Sequence, residues 1–210
     1  MTKIQARNTI GFILILLVTE GAADMGRYAW LELKEISAKA SATLLEEGKP
    51  EGFYGPMRAA DRDPRTAWCV HDGPGESIEF TFSRTPAKSI FVLGGVMVSK
   101  DLYYANNRVK DYELAITTTT GREIVHKGRL KDGACRAGLH IGEDPCFVSS
   151  YDGNMEDTEI ALNASLCIKK VRFRIVSIYP GSRYNDTCIS EVFVGGDRRW
   201  GDTLGYPGCK

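Results

Sequence analysis

The chain has 210 residues, and its 27 Lys and Arg residues balance 27 Asp and Glu residues, so the formal net charge is zero. Hydrophobic residues make up 43% of the chain and charged residues 26%, the proportions of an ordinary globular protein. Zero net charge argues against a nucleic-acid partner, because a protein that binds the phosphate backbone carries a basic excess. No apolar run reaches the roughly 18 residues that a transmembrane anchor needs.

The first 23 residues have the order of a secretory signal peptide. Lys3 and Arg7 supply a basic start, residues 10–18 form an apolar run, and residues 21–23 are small enough for cleavage. The alternative is a buried N-terminal helix or strand. We expect a signal peptide at 1–23 and therefore an exported protein, located in the periplasm, on the cell surface or in the medium.

The cysteines support export. All of them follow the expected signal peptide: Cys69, Cys135, Cys146, Cys167, Cys188 and Cys209. An even number of cysteines in an exported chain favours disulfides. Cys135 and Cys146 bracket a Gly-rich stretch and form the best local pair, although the sequence does not fix the pairing. The histidines do not lie at metal-binding spacing from the cysteines, which makes a zinc site a weak hypothesis.

Most of the remaining chain predicts β-strands. In chain order, the predicted strands are residues 77–82, 89–98, 111–120, 122–127, 158–162, 170–175 and 188–194. Gly94 and Gly95 bend the second of these strands, and Gly121 turns the third into the fourth as a hairpin. Good helix formers occur together only at residues 38–47, where we expect a short helix.

Strands at short spacing, separated by Gly, Pro, Asn and Asp, indicate an all-β antiparallel sandwich. We predict a lead segment at 24–35, one domain at 36–196 and a tail at 197–210. The tail is expected to wrap back over the domain, and Cys209 could attach it there through a disulfide.

The first candidate site contains two carboxylates in one loop. Asp61 and Asp63 precede Pro64 and Thr66, and oxygen groups at this spacing suit a hard cation such as calcium. The alternative is a plain turn, because Asp-x-Asp-Pro is also favourable turn chemistry. Trp68, which follows this loop, is expected in the core.

The second candidate site consists of two loops of similar composition. Aromatic faces stack on sugar rings, while amide and cationic groups bond hydroxyl or anionic groups. The candidate ligand-binding residues are Tyr103, Tyr104, Asn106, Asn107, Arg108 and Lys110 in one loop, and Tyr184, Asn185 and Asp186 in the other. The alternative is a pair of exposed loops without a ligand.

The sequence offers little support for an enzyme. We find no nucleophile elbow, phosphate-binding loop, dinucleotide fingerprint or zinc protease motif. Asp61 and Glu191 could in principle act as a glycosidase acid pair, but cation binding explains them equally well. Asn163 and Asn185 match the short N-glycosylation pattern, which also occurs by chance.

Two motifs resemble the discoidin superfamily, the galactose-binding-like domains also called coagulation-factor C-type. The first motif is Ala60-Asp61-x-Asp63-Pro64-x-Thr66-Ala67-Trp68. The second is Tyr179-Pro180-Gly181-x-x-Tyr184-x-Asp186-Thr187-Cys188-Ile189-Ser190-Glu191. The chain looks closest to the discoidin-like domain found beside bacterial NAD glycohydrolase toxins, a branch that Tyr104-x-Asn106-x-Arg108-x-Lys110 also matches.

The resemblance implies a jelly-roll β-sandwich with a structural calcium ion joining the first loop to the last strand. Asp61 is expected to supply a carboxylate, Asp63 a carbonyl, and Thr66 a carbonyl or hydroxyl. Glu191 is expected to supply the second carboxylate. Cys69 and Cys188 would flank the two halves of this site and could pair.

Two departures from the family pattern bear on the ligand. Arg62 stands where many relatives have glycine, and residues 94–97 lack the aromatic residue that the branch often carries there. Too few residues lie outside the sandwich for the catalytic domain of those toxins. We therefore predict a non-catalytic module that binds glycans and holds a structural calcium ion. The alternative is a protein-interaction or toxin-translocation accessory, and a small hydrolase is a third, more distant interpretation.

Overall fold

The computed structural model describes residues 28–30, 36–132 and 159–197, together with Cys209. The predicted signal peptide at 1–23 and the predicted pair of Cys135 and Cys146 lie outside the described residues.

The structure is an all-β antiparallel jelly-roll sandwich, as the sequence predicts. The strands are β1 (Tyr28–Trp30), β2 (Ser37–Ala40), β3 (Trp68–His71), β4 (Ser77–Leu93), β5 (Arg108–Val109), β6 (Asp111–Thr118), β7 (Glu123–Arg129), β8 (Glu159–Ile175), β9 (Ile178–Tyr179), β10 (Asp186–Ile189) and β11 (Glu191–Asp197). Two short helices complete the described elements, a 3-10 helix at Pro56–Ala59 and an α-helix, α1, at Lys100–Ala105.

One large sheet and two small sheets make up the sandwich. The large sheet has the order β1-β11-β4-β8-β6-β7, with β2 also paired to β4. β10 pairs with β3, and β5 pairs with β9. Phe80 and Phe173 of the large sheet share one core cluster with Trp68 and Val70 of β3 and Ile189 of β10. The small β3–β10 sheet therefore packs on the face of the large one.

Trp68 lies in the core, which confirms the prediction. Its side chain is fully buried, and its Nε1 donates a 2.9 Å hydrogen bond to the carbonyl oxygen of Ala42. A buried indole N–H requires such a partner. Trp68 thus fixes the segment that follows β2 against the core.

The helix expected at residues 38–47 is wrong. Ser37–Ala40 forms β2, which pairs antiparallel with β4 through Ala38 and Phe80. Beyond the strand, the backbone N–H of Leu44 donates to the carbonyl oxygen of Cys69 over 2.7 Å. Pairing with neighbouring strands satisfies these backbone groups, and this tertiary contribution overrides a weak helix propensity.

Two strands are longer than the sequence suggests. β4 joins the predicted strand 77–82 to residues 89–93 of the predicted strand 89–98 and runs through Pro86, while β8 joins 158–162 and 170–175. Residues 94–98 were wrongly predicted as strand, because the chain leaves the sheet at Gly94. The β4–β8 pairing shifts register twice, between Thr81 and Thr85 and between Ala87 and Ser89. β-Bulges of this kind absorb residues that do not fit the ladder, so the strand continues past local turn signals. The predicted hairpin around Gly121 is confirmed by the antiparallel pairing of β6 with β7.

Two disulfides lie within the described part of the chain. Cys69 and Cys188 occupy directly opposite positions on β3 and β10, with 4.1 Å between their Cα atoms, and they form the first disulfide. Cys167 on β8 bonds to Cys209, which confirms that a disulfide attaches the tail to the domain. Among the described residues, no helix is long and apolar enough to cross a membrane.

Candidate functional site

The two candidate ligand loops lie side by side. β5 from the first loop pairs with β9 at the start of the second, with Arg108 opposite Tyr179. The backbone N–H of Ser182 donates to the carbonyl oxygen of Tyr104 over 3.0 Å, and that of Tyr184 donates to Ala105 over 2.8 Å. Backbone hydrogen bonds thus join segments far apart in sequence into one surface.

Asn106 and Asn107 are engaged inside this surface. Asn107 is 2% exposed, and its Oδ1 accepts a 2.8 Å hydrogen bond from the backbone N–H of Gly181. Its Nδ2 donates to Oδ1 of Asn185 over 3.2 Å. The Nδ2 group of Asn106 donates to the carbonyl oxygen of Leu102 over 2.8 Å. Of these two residues expected to bind ligand, Asn107 holds the loops together, whereas Asn106 is 7% exposed and lines the cavity beside the loops.

Arg108 is likewise committed to protein contacts. Its Nε and Nη2 atoms donate to the two carboxylate oxygens of Asp132, each over 2.9 Å. Its Nη1 donates to the carbonyl oxygens of Asn106 and Pro180, each over 3.1 Å. Burial opposes the charged guanidinium while the Asp132 carboxylate favours it, and the net effect raises the pKa of Arg108. A bidentate pair of this kind fixes geometry, so Arg108 anchors both loops.

Two tyrosine rings remain available on the joined loops. Tyr104 is 38% exposed and Tyr184 is 43% exposed, whereas Tyr103 is buried in the core. The Arg183 guanidinium carbon lies 5.7 Å from the centroid of the Tyr184 ring, in cation–π range. On the joined loops, Tyr104 and Tyr184 are therefore the partly exposed rings, with the Arg108 guanidinium carbon 5.2 Å from the Tyr104 ring centroid.

The other predicted ligand residues are half-buried or in contact with protein groups. Lys110 is half-buried, with its Nζ 5.6 Å from the centroid of the Tyr179 ring. Asn185 is exposed, and its side-chain amide donates to the Asp72 carboxylate. Asp186 is half-buried, 3.5 Å from Nδ1 of His71.

The first loop contains a helix that sequence reasoning missed. Residues Lys100–Ala105 form α1, and the hydroxyl of Ser99 accepts a 3.1 Å hydrogen bond from the backbone N–H of Leu102 as the N-cap. A capping serine followed by Asp101 in the first turn is a sequence signal for a helix start. The adjacent Asn106 and Asn107 favoured a loop and obscured that signal.

A cavity of about 660 Å³ adjoins the joined loops. Its apolar lining includes Leu44, Phe53 and Tyr54, from a segment that sequence analysis did not identify as part of a site. Val96, Val98 and Leu102 complete the apolar lining. Tyr184 and Asp186 of the second loop and Thr66 of the predicted cation loop also line it. The aromatic pair Phe53-Tyr54, close to Pro50 and Gly52, was the available signal.

Aromatic and charged groups surround this cavity. Phe53 is 40% exposed, and the Lys49 ammonium lies 4.7 Å from its ring centroid. The Tyr54 hydroxyl donates a 2.6 Å hydrogen bond to the Glu46 carboxylate. Burial, followed by the bond and charge of Glu46, raises the pKa of Tyr54 to about 12. Tyr54 therefore remains a neutral hydrogen-bond donor at physiological pH.

The predicted cation loop concentrates oxygen atoms around one hydroxyl. Oγ1 of Thr66 lies 2.9 and 2.8 Å from the two carboxylate oxygens of Asp61. It also lies 3.1 Å from the carbonyl oxygen of Arg58 and 3.0 Å from that of Asp63. A hydroxyl carries one proton and can donate to only one of these acceptors at a time. This excess of oxygen acceptors fits a hard cation, which binds carboxylate, carbonyl and hydroxyl oxygens together.

The backbone of this loop keeps an unusual conformation. Arg62 has a φ of 65°, the left-handed region that favours glycine. The N–H of Asp63 donates a 3.0 Å hydrogen bond to Oδ1 of Asp61, closing a tight turn over Arg62. Arg62 thus holds a backbone conformation that glycine adopts without strain and a residue with a side chain does not.

Asp63 and Glu191 occupy different positions in this region. The Asp63 carboxylate pairs with Arg65 through two 2.8 Å contacts, which lower its pKa, and its carbonyl oxygen contacts Thr66. Glu191 is 1% exposed at the start of β11. In the β3–β10 ladder, Ile189 pairs with Trp68. Glu191 follows Ile189 by two residues, and Thr66 precedes Trp68 by two residues. Glu191 and Thr66 therefore lie at the same end of this ladder. Within the described residues, no group of three or more His, Cys, Asp or Glu side chains lies together as a metal site.

The chain matches a known family over most of its length. Residues 30–195 match the NAD glycohydrolase translocation F5/8 type C domain. Nothing among curated proteins matches this chain.

Solved structures are similar to this chain, and the two with a TM-score of 0.50 or more, reported first, share its fold. An F5/8 type C domain from Bacteroides fragilis is 12% identical with a TM-score of 0.54, covering 82% of this chain and 98% of that one. The family 32 carbohydrate-binding module of EndoD from Streptococcus pneumoniae is 12% identical with a TM-score of 0.50, covering 76% and 96%. The family 32 module of NanJ from C. perfringens, solved with galactose, is 14% identical with a TM-score of 0.48, covering 76% and 93%.

Proposed function

The chain belongs to the NAD glycohydrolase translocation F5/8 type C domain family, and from this premise we propose that it is an exported, non-catalytic glycan-binding module. The proposed binding surface is formed by the joined loops and the cavity beside them. Two disulfides in the described residues support export, because disulfides persist in oxidising compartments.

One observation carries the glycan proposal. Tyr104 and Tyr184 expose their rings on segments joined by backbone hydrogen bonds, and Tyr184 also lines the cavity. An exposed aromatic face supported by a rigid backbone suits stacking against the apolar face of a sugar ring. The EndoD module that shares this fold is named a carbohydrate-binding module, which supports the same class of ligand for this chain.

The placement of Glu191 supports a non-catalytic role. A glycosidase requires two carboxyl groups on either side of a bond in the substrate. Glu191 is 1% exposed, so its carboxylate does not face a substrate from solvent. Asp61 is held by contacts with Thr66 and Arg58. No hydrolysis of a glycoside panel by the wild-type protein is the expected result, and hydrolysis that Glu191→Gln abolishes would contradict it.

A glycan array with the mature protein tests the glycan proposal. We expect binding to a restricted set of glycans, weakened about tenfold in Tyr184→Ala and retained in Val125→Ala. Val125 is a suitable control because it is 48% exposed on β7 and is absent from the cavity lining. No binding to any glycan, with or without calcium, would contradict the glycan proposal.

We also propose that the cation loop holds a structural calcium ion. Asp61 would supply a carboxylate, Asp63 its carbonyl and Thr66 its hydroxyl, with Glu191 as the second carboxylate. The Thr66 hydroxyl surrounded by acceptor oxygens supports this set. The ion would neutralise crowded oxygens and connect the loop to the start of β11.

Thermal unfolding tests the calcium proposal. Calcium is expected to raise the Tm relative to EDTA, because a ligand that binds only the folded state stabilises it by mass action. Asp61→Asn should abolish this rise, whereas the exposed Glu123→Gln should leave it unchanged. An equal rise in Asp61→Asn would exclude this loop as the binding site.

The alternative function is an accessory for protein interaction or toxin translocation. The description of the family as a translocation domain favours it, and the exposed Phe53, Val98 and Tyr184 around the cavity could also contact a protein. Recovery in a pull-down of a toxin encoded next to this gene, together with no binding to any glycan on the array, would favour this alternative.

A further inference from the structure

Arg58 contributes to the cation loop in two opposite ways. Its carbonyl oxygen lies 3.1 Å from Oγ1 of Thr66, as one of the acceptors around that hydroxyl. Its guanidinium Nη1 lies 3.3 Å from Oδ2 of Asp61. The same residue therefore adds an oxygen to the cluster and places a positive charge on the carboxylate that a metal ion would need.

The Arg58–Asp61 pair is the weaker of two neighbouring ion pairs. It has a 3.3 Å contact, and the Arg58 side chain is 45% exposed. Arg65, by contrast, holds Asp63 through two contacts of 2.8 Å. Exposed ion pairs contribute little free energy, so a divalent ion with twice the charge can displace the Arg58 guanidinium from Asp61.

Arg58 also lines the cavity beside the loop. A guanidinium released from Asp61 therefore has the cavity wall as a neighbouring position. There it can pair with an anionic group of a ligand, since guanidinium forms directed hydrogen bonds to carboxylates.

We infer that Arg58 is an internal competitor of the cation at Asp61, and that ion binding transfers its guanidinium from Asp61 to the cavity. This inference rests on the calcium part of the proposed function. It has two consequences. Arg58 lowers the calcium affinity of the loop, and calcium increases the affinity of the cavity for an acidic sugar.

Calcium titration calorimetry on the mature protein tests the first consequence. Arg58→Ala is expected to bind calcium about three- to tenfold more tightly than wild type, because a repelling charge is removed from an exposed site. Lys49→Ala is the matched control, since it removes one positive charge from the same cavity but Lys49 stacks on Phe53. Its calcium affinity should stay within about twofold of wild type.

The outcomes separate this inference from the proposed function. Tighter binding by Arg58→Ala alone supports the competition, and so does calcium binding by this variant when wild type shows none. Equal or weaker binding by Arg58→Ala overturns the inference while leaving the calcium proposal intact. Calcium binding by neither protein overturns both.

The second consequence is tested with galacturonic acid as the probe. Calcium is expected to strengthen its binding to wild type but not to Arg58→Ala, while binding of neutral galactose does not depend on calcium in either protein. No binding of galacturonic acid, or binding that calcium changes equally in both proteins, overturns the transfer to the cavity.

Discussion

The side-chain amide of Asn107 donates a 3.2 Å hydrogen bond to the side-chain oxygen of Asn185, across a separation of 78 residues. Oδ1 of Asn107 accepts a second bond from the backbone N–H of Gly181. Asn107 is almost fully buried, while Asn185 is exposed. The contact therefore fixes the second loop from its buried side and leaves the exposed residues of that loop accessible to a ligand.

Replacing Asn107 should destabilise the domain. Asn107→Ala removes a buried side chain and the acceptor of the half-buried Gly181 N–H, and is expected to lower the free energy of unfolding by about 1–3 kcal/mol. Denaturant unfolding measures this loss. The control Asn185→Ala, at an exposed position, should cost less, and an equal loss in both variants would contradict the assigned role.

The buried Tyr103 should behave differently from the exposed Tyr104 and Tyr184. Tyr184→Ala is expected to lower glycan affinity by about tenfold, because one stacking face is lost. Its free energy of unfolding should change by less than about 0.5 kcal/mol, as for other surface positions. Tyr103→Ala removes a buried ring and should cost about 3–5 kcal/mol of stability. Calorimetric titration and denaturant unfolding of both variants test this prediction, with Tyr104→Ala as a second exposed ring. A greater stability loss in Tyr184→Ala than in Tyr103→Ala would contradict it.

The disulfides should contribute unequally to stability. Cys69 and Cys188 are separated by 119 residues and Cys167 and Cys209 by 42. The loop-closure estimate gives about 5 kcal/mol for the first bond and about 4 kcal/mol for the second. Replacing each pair by alanine and measuring unfolding in guanidinium tests the order. A greater loss from the Cys167–Cys209 pair would contradict it.

Tyr54 should make stability sensitive to high pH. Burial and the Glu46 contact raise its pKa in the folded state from 10.0 to about 12. A group with a raised pKa stabilises the fold fully below its unfolded pKa, so this contribution is present below pH 10 and is lost between pH 10 and about 12. Tyr54→Phe should remove that part of the alkaline loss. Glu46→Gln should make this loss smaller, because the folded pKa would lie closer to the unfolded value and the loss would end at a lower pH. Parallel curves for wild type and Tyr54→Phe would refute the assignment.

The sequence predicted the fold well where pattern and family resemblance agreed. The two discoidin-like motifs led to the family and the jelly roll, both of which are confirmed. Alternation predicted the β6–β7 hairpin. It failed at Pro86, where a turn signal lies inside the continuous strand β4. It also failed at Ser37–Ala40, where pairing with β4 outweighs helix propensity.

The candidate site was predicted only in outline. Residue type alone nominated both loops, but it could not distinguish the buried Asn107 and Arg108 from the exposed Tyr104 and Tyr184. That distinction depends on tertiary contacts such as the Arg108–Asp132 pair. The cavity wall around Phe53 was missed because nothing local indicates that this segment lies beside the second loop. The cation set and the ligand residues stay predictions.

The most direct test of the central claim is to map where a glycan binds. Amide chemical shifts of the labelled mature protein would be recorded while the strongest array glycan is added. We predict that the shifts concentrate at Phe53, Tyr104 and residues 182–186, and that Tyr184→Ala requires about tenfold more glycan to reach the same shifts. Shifts centred on the outer face of β6, β7 and β8, unaffected by Tyr184→Ala, would contradict the proposed site.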